Sequence, residues 1–242
     1  NKPKLIAHVH ELYVGLKRYI KKPKLIVSDI DYVIAVSNVV AKNIIQEWNF
    51  DNNKLDVVYE FSKTKSHFTN HVDENKVFTV GASGTVFWRK GYEYFIQVAR
   101  YIKENYPDKI LQFIWVGAIK ENEKLIIDED LKKLGLTDTV HFVGQQTNPH
   151  QYFNSFDVFL MTSKEDPFPL VCIEVGMLGK PIICFDQATG TQEMLENGGG
   201  KVVPYLNIEK MAQEVVNYYN NPLHLEKDSQ IVKEIFKTSR GT

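Results

Sequence analysis

Cysteine is nearly missing from this 242-residue chain: there are two, Cys172 and Cys184, each inside an apolar run (LVCIEV and PIICF). That placement favours buried reduced thiols over a disulfide framework. An excess of either charge is missing as well, with 29 Lys and Arg against 30 Asp and Glu, so no bulk positive field argues for a nucleic-acid partner. No stretch approaches the roughly 18 uninterrupted apolar residues of a membrane span, and the opening NKPKLIAHVHEL has no signal-peptide core. Internal repeats and low-complexity tracts are absent too. The chain opens without Met and directly into a strand-like run, which predicts a piece of something longer.

What is present is alternation. With 43% hydrophobic residues the chain can bury one good core and part of another. Short runs rich in Val, Ile and Phe predict strands at 5–10, 32–37, 55–60, 77–83, 111–117, 139–144, 158–163, 181–186 and 200–204. Helical spacing predicts helices at 38–48, 92–105, 121–134, 148–155, 170–178, 191–196 and 208–219. Strands alternating with crossover helices mean an α/β class, a doubly wound, Rossmann-like parallel sheet with helices on both faces. The polar stretch 62–76 follows neither period and is the expected linker, between residues 1–61 and a main domain at 77–222; 223–242 reads as a helical tail.

Two segments carry chemistry. In TSKEDPFPLVCIEVGMLGKPIICF (162–185) a strand ends near Ser163, a polar loop follows, and Pro169 suits the first turn of a helix because its missing amide costs nothing there. The amides near Leu170 and Val171 would then lie at the positive end of a helix, just outside the carboxyl end of a strand, where phosphate binds. Glu174, one turn in, could reach back to a ribose. In GASGTVFWRKG (81–91) small residues including Gly84 admit a ligand to the backbone, while Arg89 and Lys90 offer charge for a diphosphate. Each segment also reads as an ordinary connection: a plain strand–loop–helix unit and a solvated basic loop.

The run S-x-x-D-x7-E-x4-G-K-P, filled by Ser163, Asp166, Glu174, Gly179, Lys180 and Pro181, resembles the E-x7-E signature of family 4 (group 1) glycosyltransferases of the GT-B type. VIAVSN (33–38), GASGTVFWRKG, WVG (115–117), HFVG (141–144), FDVFLMTS (156–163) and GTQEMLENGGGKVV (190–203) accompany it in order. The resemblance implies the donor-binding C-terminal domain of such an enzyme, preceded by a remnant of its N-terminal, acceptor-side domain. It implies that Asp166 replaces the first signature Glu, which contacts the donor sugar, with Glu165 as the alternative, and that Glu174 holds the ribose hydroxyls. Lys90 would neutralise the diphosphate; Thr85 stands where the family often has an Arg, leaving Arg89 as a second cation. The loop from Gly144 and Gln145 would read the base through its backbone. Phe168, Gly190, Thr191 and Glu193 would border the donor, and His10 would face the cleft from the end of a strand.

The expected function is therefore retaining, metal-independent transfer of a sugar from a nucleoside-diphosphate sugar to a glycan or glycolipid hydroxyl, in polysaccharide or glycolipid assembly. No cofactor is expected beyond the nucleotide-sugar donor. The resemblance implies a cytoplasmic enzyme, with peripheral association at the inner face of the membrane through the remainder of the acceptor-side domain, and a chain that alone binds nucleotide and transfers nothing. A metal role is not expected: Asp29-Ile30-Asp31 reads as a solvated turn far from these segments, and His8 with His10 lacks a third ligand. Alternatives are a sugar-nucleotide epimerase on the same architecture and a non-catalytic nucleotide- or carbohydrate-binding module. A dinucleotide-binding redox protein would need G-x-G-x-x-G after its first strand, a spacing GASGTVFWRKG does not supply.

Overall fold

A computed structural model describes residues 3–20, 26–62 and 77–238. All nine expected strands form, and they divide between two parallel sheets. The first holds β1 (Ile6–Val9), β2 (Tyr32–Ala35) and β3 (Leu55–Val57) in the order β1-β2-β3, in register Ala7 to Val33 and Val33 to Leu55. The second comprises β4 (Phe78–Ser83), β5 (Leu111–Val116), β6 (Val140–Phe142), β7 (Val158–Met161), β8 (Ile182–Phe185) and β9 (Gly200–Val203), ordered β6-β5-β4-β7-β8-β9.

Chain order thus runs outward from β4 on one side and from β7 on the other. The reversal leaves a crevice at the carboxyl ends of β4 and β7, the place where open α/β sheets take ligands. Burial on both faces explains why β7 and β8 read as unbroken apolar runs rather than alternating ones.

Helices follow the strands. In the first sheet's connections lie α1 (Tyr13–Tyr19) and α2 (Asn38–Trp48). In the second lie α3 (Tyr92–Asn105), α4 (Glu121–Lys133), α5 (His150–Ser155), α6 (Leu170–Met177), α7 (Thr191–Met194), α8 (Ile208–Asn220) and α9 (Pro222–Thr238). The stripe Phe95, Val98, Ala99 and Ile102 of α3 is buried as its spacing requires. Side chains cap α2 and α8: Ser37 accepts from the Val40 amide at 3.3 Å, and Asn207 from Lys210 at 2.8 Å.

One face of the six-stranded sheet packs under α3, α4 and α8 around Trp115 and Phe113. The other carries Phe156, Phe159 and the apolar side of α6, and this core runs on without a break into Val33, Val36 and Val40 of the first sheet's unit. The two sheets therefore share a core. The expected linker lies, apart from Ser62, outside the described residues, as do the last four residues of the tail.

Helix α1 was not expected from periodicity. It is seven residues long, its cap residue Leu12 offers no side-chain bond, and Leu16 is its buried side chain. Its first turn is held by a carboxylate 151 residues away, Glu165, which accepts from the Val14 amide at 2.8 Å.

Candidate active site

Strand β4 ends in a turn that needs glycine. Gly84 has φ +149°, its amide donates to the Val116 carbonyl at 2.9 Å, and its carbonyl accepts from the Trp115 indole at 2.8 Å. A Cβ on Gly84 would stand 3.2 Å from Lys90 Cδ, so the bare backbone makes room for the lysine's alkyl arm. A single 3₁₀ turn at Trp88–Lys90 and a left-handed Gly91 (φ +67°) then start α3.

The Lys90 ammonium crosses to the end of β7 and meets Asp166 Oδ2 at 2.5 Å. The same oxygen accepts from the Ser163 hydroxyl at 3.3 Å. The loop is pinned from both sides: Thr162 Oγ1 donates to the Lys90 carbonyl at 3.1 Å, and the Asp166 amide donates to Ala188 O at 2.8 Å. Asp166 is buried, 7% of its side chain remaining exposed, and Lys90 keeps 21%. Removing either partner strands a charge in a poorly hydrated place.

Four residues after Asp166 the chain enters α6. Pro169 is the cap residue and its carbonyl accepts from the Cys172 amide at 2.9 Å. Proline offers no side-chain cap, so the first-turn amides of Leu170 and Val171 sit at the positive end of the helix. Leu170 is exposed and Val171 half-buried. Glu174 follows in the second turn, half-buried; burial raises its pKa, and the charge of His150 opposes that.

Other expected site residues lie elsewhere or are already engaged. Glu165 spends one carboxylate oxygen on α1, and its Oε2 is buried with no partner among the described residues. Burial raises its pKa against the lowering effects of the Val14 amide and Arg89. Arg89 reaches Glu11 Oε2 at 3.4 Å. The Phe168 ring is 7% exposed and packs at 5.4 Å from Tyr59, so it belongs to the shared core. Thr191 is buried beside Thr189, 3.2 Å between hydroxyls. Gly144 takes φ +73° with open space where a Cβ would stand, and Gln145 beside it is exposed. His10 turns to Glu60, 2.7 Å away, and its ring lies tilted at 60° to that of His8, 4.1 Å between centroids; no described contact joins it to Lys90 or Asp166.

Glu193, expected beside the donor sugar, turns to the first sheet's unit instead. Its carboxylate accepts from the Asn38 amide (2.9 Å), the Asn38 side chain (2.8 Å), the Val39 amide (2.9 Å) and the Tyr59 hydroxyl (2.9 Å). Burial, then this bond, pushes the Tyr59 hydroxyl up to about 12. One signal for this role was available: Ser37 marked the start of α2, and an acid near a helix start is a capping device. Nothing local pointed to an acid 155 residues away.

Among the described residues no group of three or more His, Cys, Asp or Glu is arranged to hold a metal ion, and no helix is long and apolar enough to cross a membrane.

The doubly wound parallel sheet is of the α/β class that takes its ligands at the switch point. A model of the glycosyl transferases group 1 family matches residues 62–238, and the chain belongs to that family. Among curated relatives, an uncharacterized glycosyltransferase of Haemophilus influenzae is 29% identical over 165 residues, 66% of this chain and 45% of that protein. The capsular polysaccharide biosynthesis glycosyltransferase CapM of Staphylococcus aureus is 26% identical over 206 residues, 83% and 50%. The chain thus spans half or less of the length of these curated relatives. A crystal structure of Anabaena Alr3699/HepE in complex with UDP-glucose superposes with TM-score 0.82 at 19% identity, over 98% of this chain and 68% of that one. The fold is of the GT-B type.

Proposed function

We propose that residues 77–222 are the donor-binding domain, and residues 1–61 part of the acceptor-side domain, of a retaining glycosyltransferase that moves a sugar from a nucleoside diphosphate to a hydroxyl of a glycan or glycolipid. One observation carries this reading: the Lys90 ammonium stands 2.5 Å from Asp166 at the mouth of α6. Asp166 precedes α6 by four residues, and a cation beside the amino end of a helix at a sheet's switch point offers a diphosphate complementary charge. Family membership and the UDP-glucose complex of the Anabaena protein support it.

In this reading Lys90 and the Leu170 and Val171 amides take the charge that develops on the diphosphate as its bond to the anomeric carbon breaks, the part a divalent ion plays elsewhere. Asp166 holds hydroxyls of the donor sugar and Glu174 those of the ribose, with Gly84 and the Gly144–Gln145 loop offering backbone to the nucleotide. Arg89, Phe168 and Thr191 are assigned to support, since their groups are already engaged, and so is Glu165, whose Oε1 holds the Val14 amide. His10, just after β1 and beside Glu60, is assigned to face the cleft.

The test is calorimetric titration of the full-length protein with UDP and GDP in EDTA. At least one binds, and Lys90→Ala weakens it by about 1–3 kcal/mol, the scale of a lost charged hydrogen bond. No binding by either nucleotide, or equal binding by the variant, removes the donor assignment.

A further inference from the structure

The turn that follows β4 is strapped to the end of β5 at three points. The Gly84 amide donates to the Val116 carbonyl at 2.9 Å, the Val86 amide to Ala118 O at 2.8 Å, and the Trp115 indole N–H to the Gly84 carbonyl at 2.8 Å. Gly117 lets the two turns touch, since a Cβ there would stand 2.0 Å from Gly84 O. The indole has no freedom to turn away: it is 1% exposed, stacks on Phe142 at 5.8 Å and meets the edge of Phe95 at 5.5 Å. Packing at this place asks only for a large apolar ring, and the N–H is an addition that packing does not need.

The Gly84–Thr85 peptide is planar and trans, so the Gly84 carbonyl and the Thr85 N–H point opposite ways. Strand β4 lies between β5 and β7. With the carbonyl held on the β5 side, the Thr85 N–H faces the β7 side, where the Lys90 ammonium meets Asp166 just past the end of β7. Thr85 is exposed, and its amide has no acceptor among the described residues, whereas the amides on either side of it, of Gly84 and Val86, are spent on β5.

We infer that Trp115 is a positioning residue for the nucleotide donor: its indole N–H fixes the Gly84–Thr85 peptide so that the Thr85 amide is a preset hydrogen-bond donor to a diphosphate oxygen. The inference rests on the donor reading above. A donor aimed before the ligand arrives needs no reorganisation on binding, and a bond from N–H to a charged phosphate oxygen is of the strong kind. Trp115 is buried behind the turn and acts only through this one peptide. Without the indole N–H the Gly84 carbonyl loses its partner; rotating towards another takes the Thr85 amide out of line.

The experiment compares Trp115→Phe with the wild type in the full-length protein, by NMR titration with UDP and GDP and with their nucleosides, uridine and guanosine. Phenylalanine keeps a ring in the core and removes the N–H. The variant binds the nucleoside diphosphate about tenfold more weakly, while its affinity for the matching nucleoside stays within about twofold. Weakening of both ligands in proportion marks a packing role alone, and that result, or unchanged binding of both, overturns the inference. A second measurement needs no variant: with 15N-threonine in the wild type, the Thr85 amide resonance moves downfield on adding the diphosphate and stays in place with the nucleoside. A Thr85 resonance indifferent to the bound diphosphate overturns the inference and leaves the donor reading standing. Binding of neither UDP nor GDP by the wild type removes the donor reading, and the role of Trp115 falls with it.

Discussion

Asp166 pairs with Lys90 in the structure and is proposed to take a second place when donor is bound. Its carboxylate neutralises the Lys90 ammonium; a diphosphate would compete for that ammonium and free the carboxylate for the sugar. Asp166→Asn therefore separates the two roles. With the negative charge gone, UDP binds as tightly as to the wild type or several-fold more tightly, whereas turnover of the full-length enzyme drops about 100-fold because the sugar is no longer oriented. Titration beside a transfer assay checks both halves. Loss of UDP binding in this variant would mean the aspartate serves the nucleotide instead. Glu174 offers a stability measurement. Its carboxyl is raised above the ordinary glutamate value of 4.5 by burial, so the folded state resists ionisation and loses stability as pH climbs from the unfolded value through the folded one. Glu174→Gln has no such loss. The two proteins melt together below pH 4.5, and the variant melts higher at pH 7, by differential scanning calorimetry with no nucleotide present.

Among the elements, α6 was legible and α1 was not. The α6 segment carries its own start and stop: Pro169 before it, and after it Gly179 at φ +73°. Its buried side is set by contact with α9, where Gly176 leaves room for Phe236; a Cβ there would lie 2.2 Å from the ring. Gly176→Ala forces that ring aside and costs about 1–3 kcal/mol by urea denaturation. A neutral effect would show that α9 yields freely. Helix α1 has no comparable local signals, since its amino end is held by Glu165 from the far side of the chain. Short helices gain stability chiefly from what they pack on, and seven residues were too few for a pattern to emerge.

At the scale of the molecule, two sheets are joined by a continuous apolar core, by Ser37 donating to the Pro167 carbonyl at 2.9 Å, and by the four bonds to Glu193. Glu193→Ala removes the acceptor shared by the start of α2 and the Tyr59 hydroxyl. It should lower stability by about 1–3 kcal/mol and speed amide exchange in 38–48 well before that in 92–105. Uniform exchange across both helices would argue that the sheets unfold as one unit whatever Glu193 does.

The nine strands, the order of the motifs, and the placing of Lys90 and Asp166 at strand ends could all be read from the linear chain, because periodicity and turn chemistry act over a few residues. Which oxygens remain open to a ligand could not. Glu165, Arg89 and Phe168 look as suited to a donor as Asp166 does along the backbone, yet one Glu165 oxygen, the Arg89 guanidinium and the Phe168 ring meet partners 151, 78 and 109 residues away. Contacts at such separations depend on how two sheets come to rest against each other, and no window of neighbouring residues contains both sides of that interface.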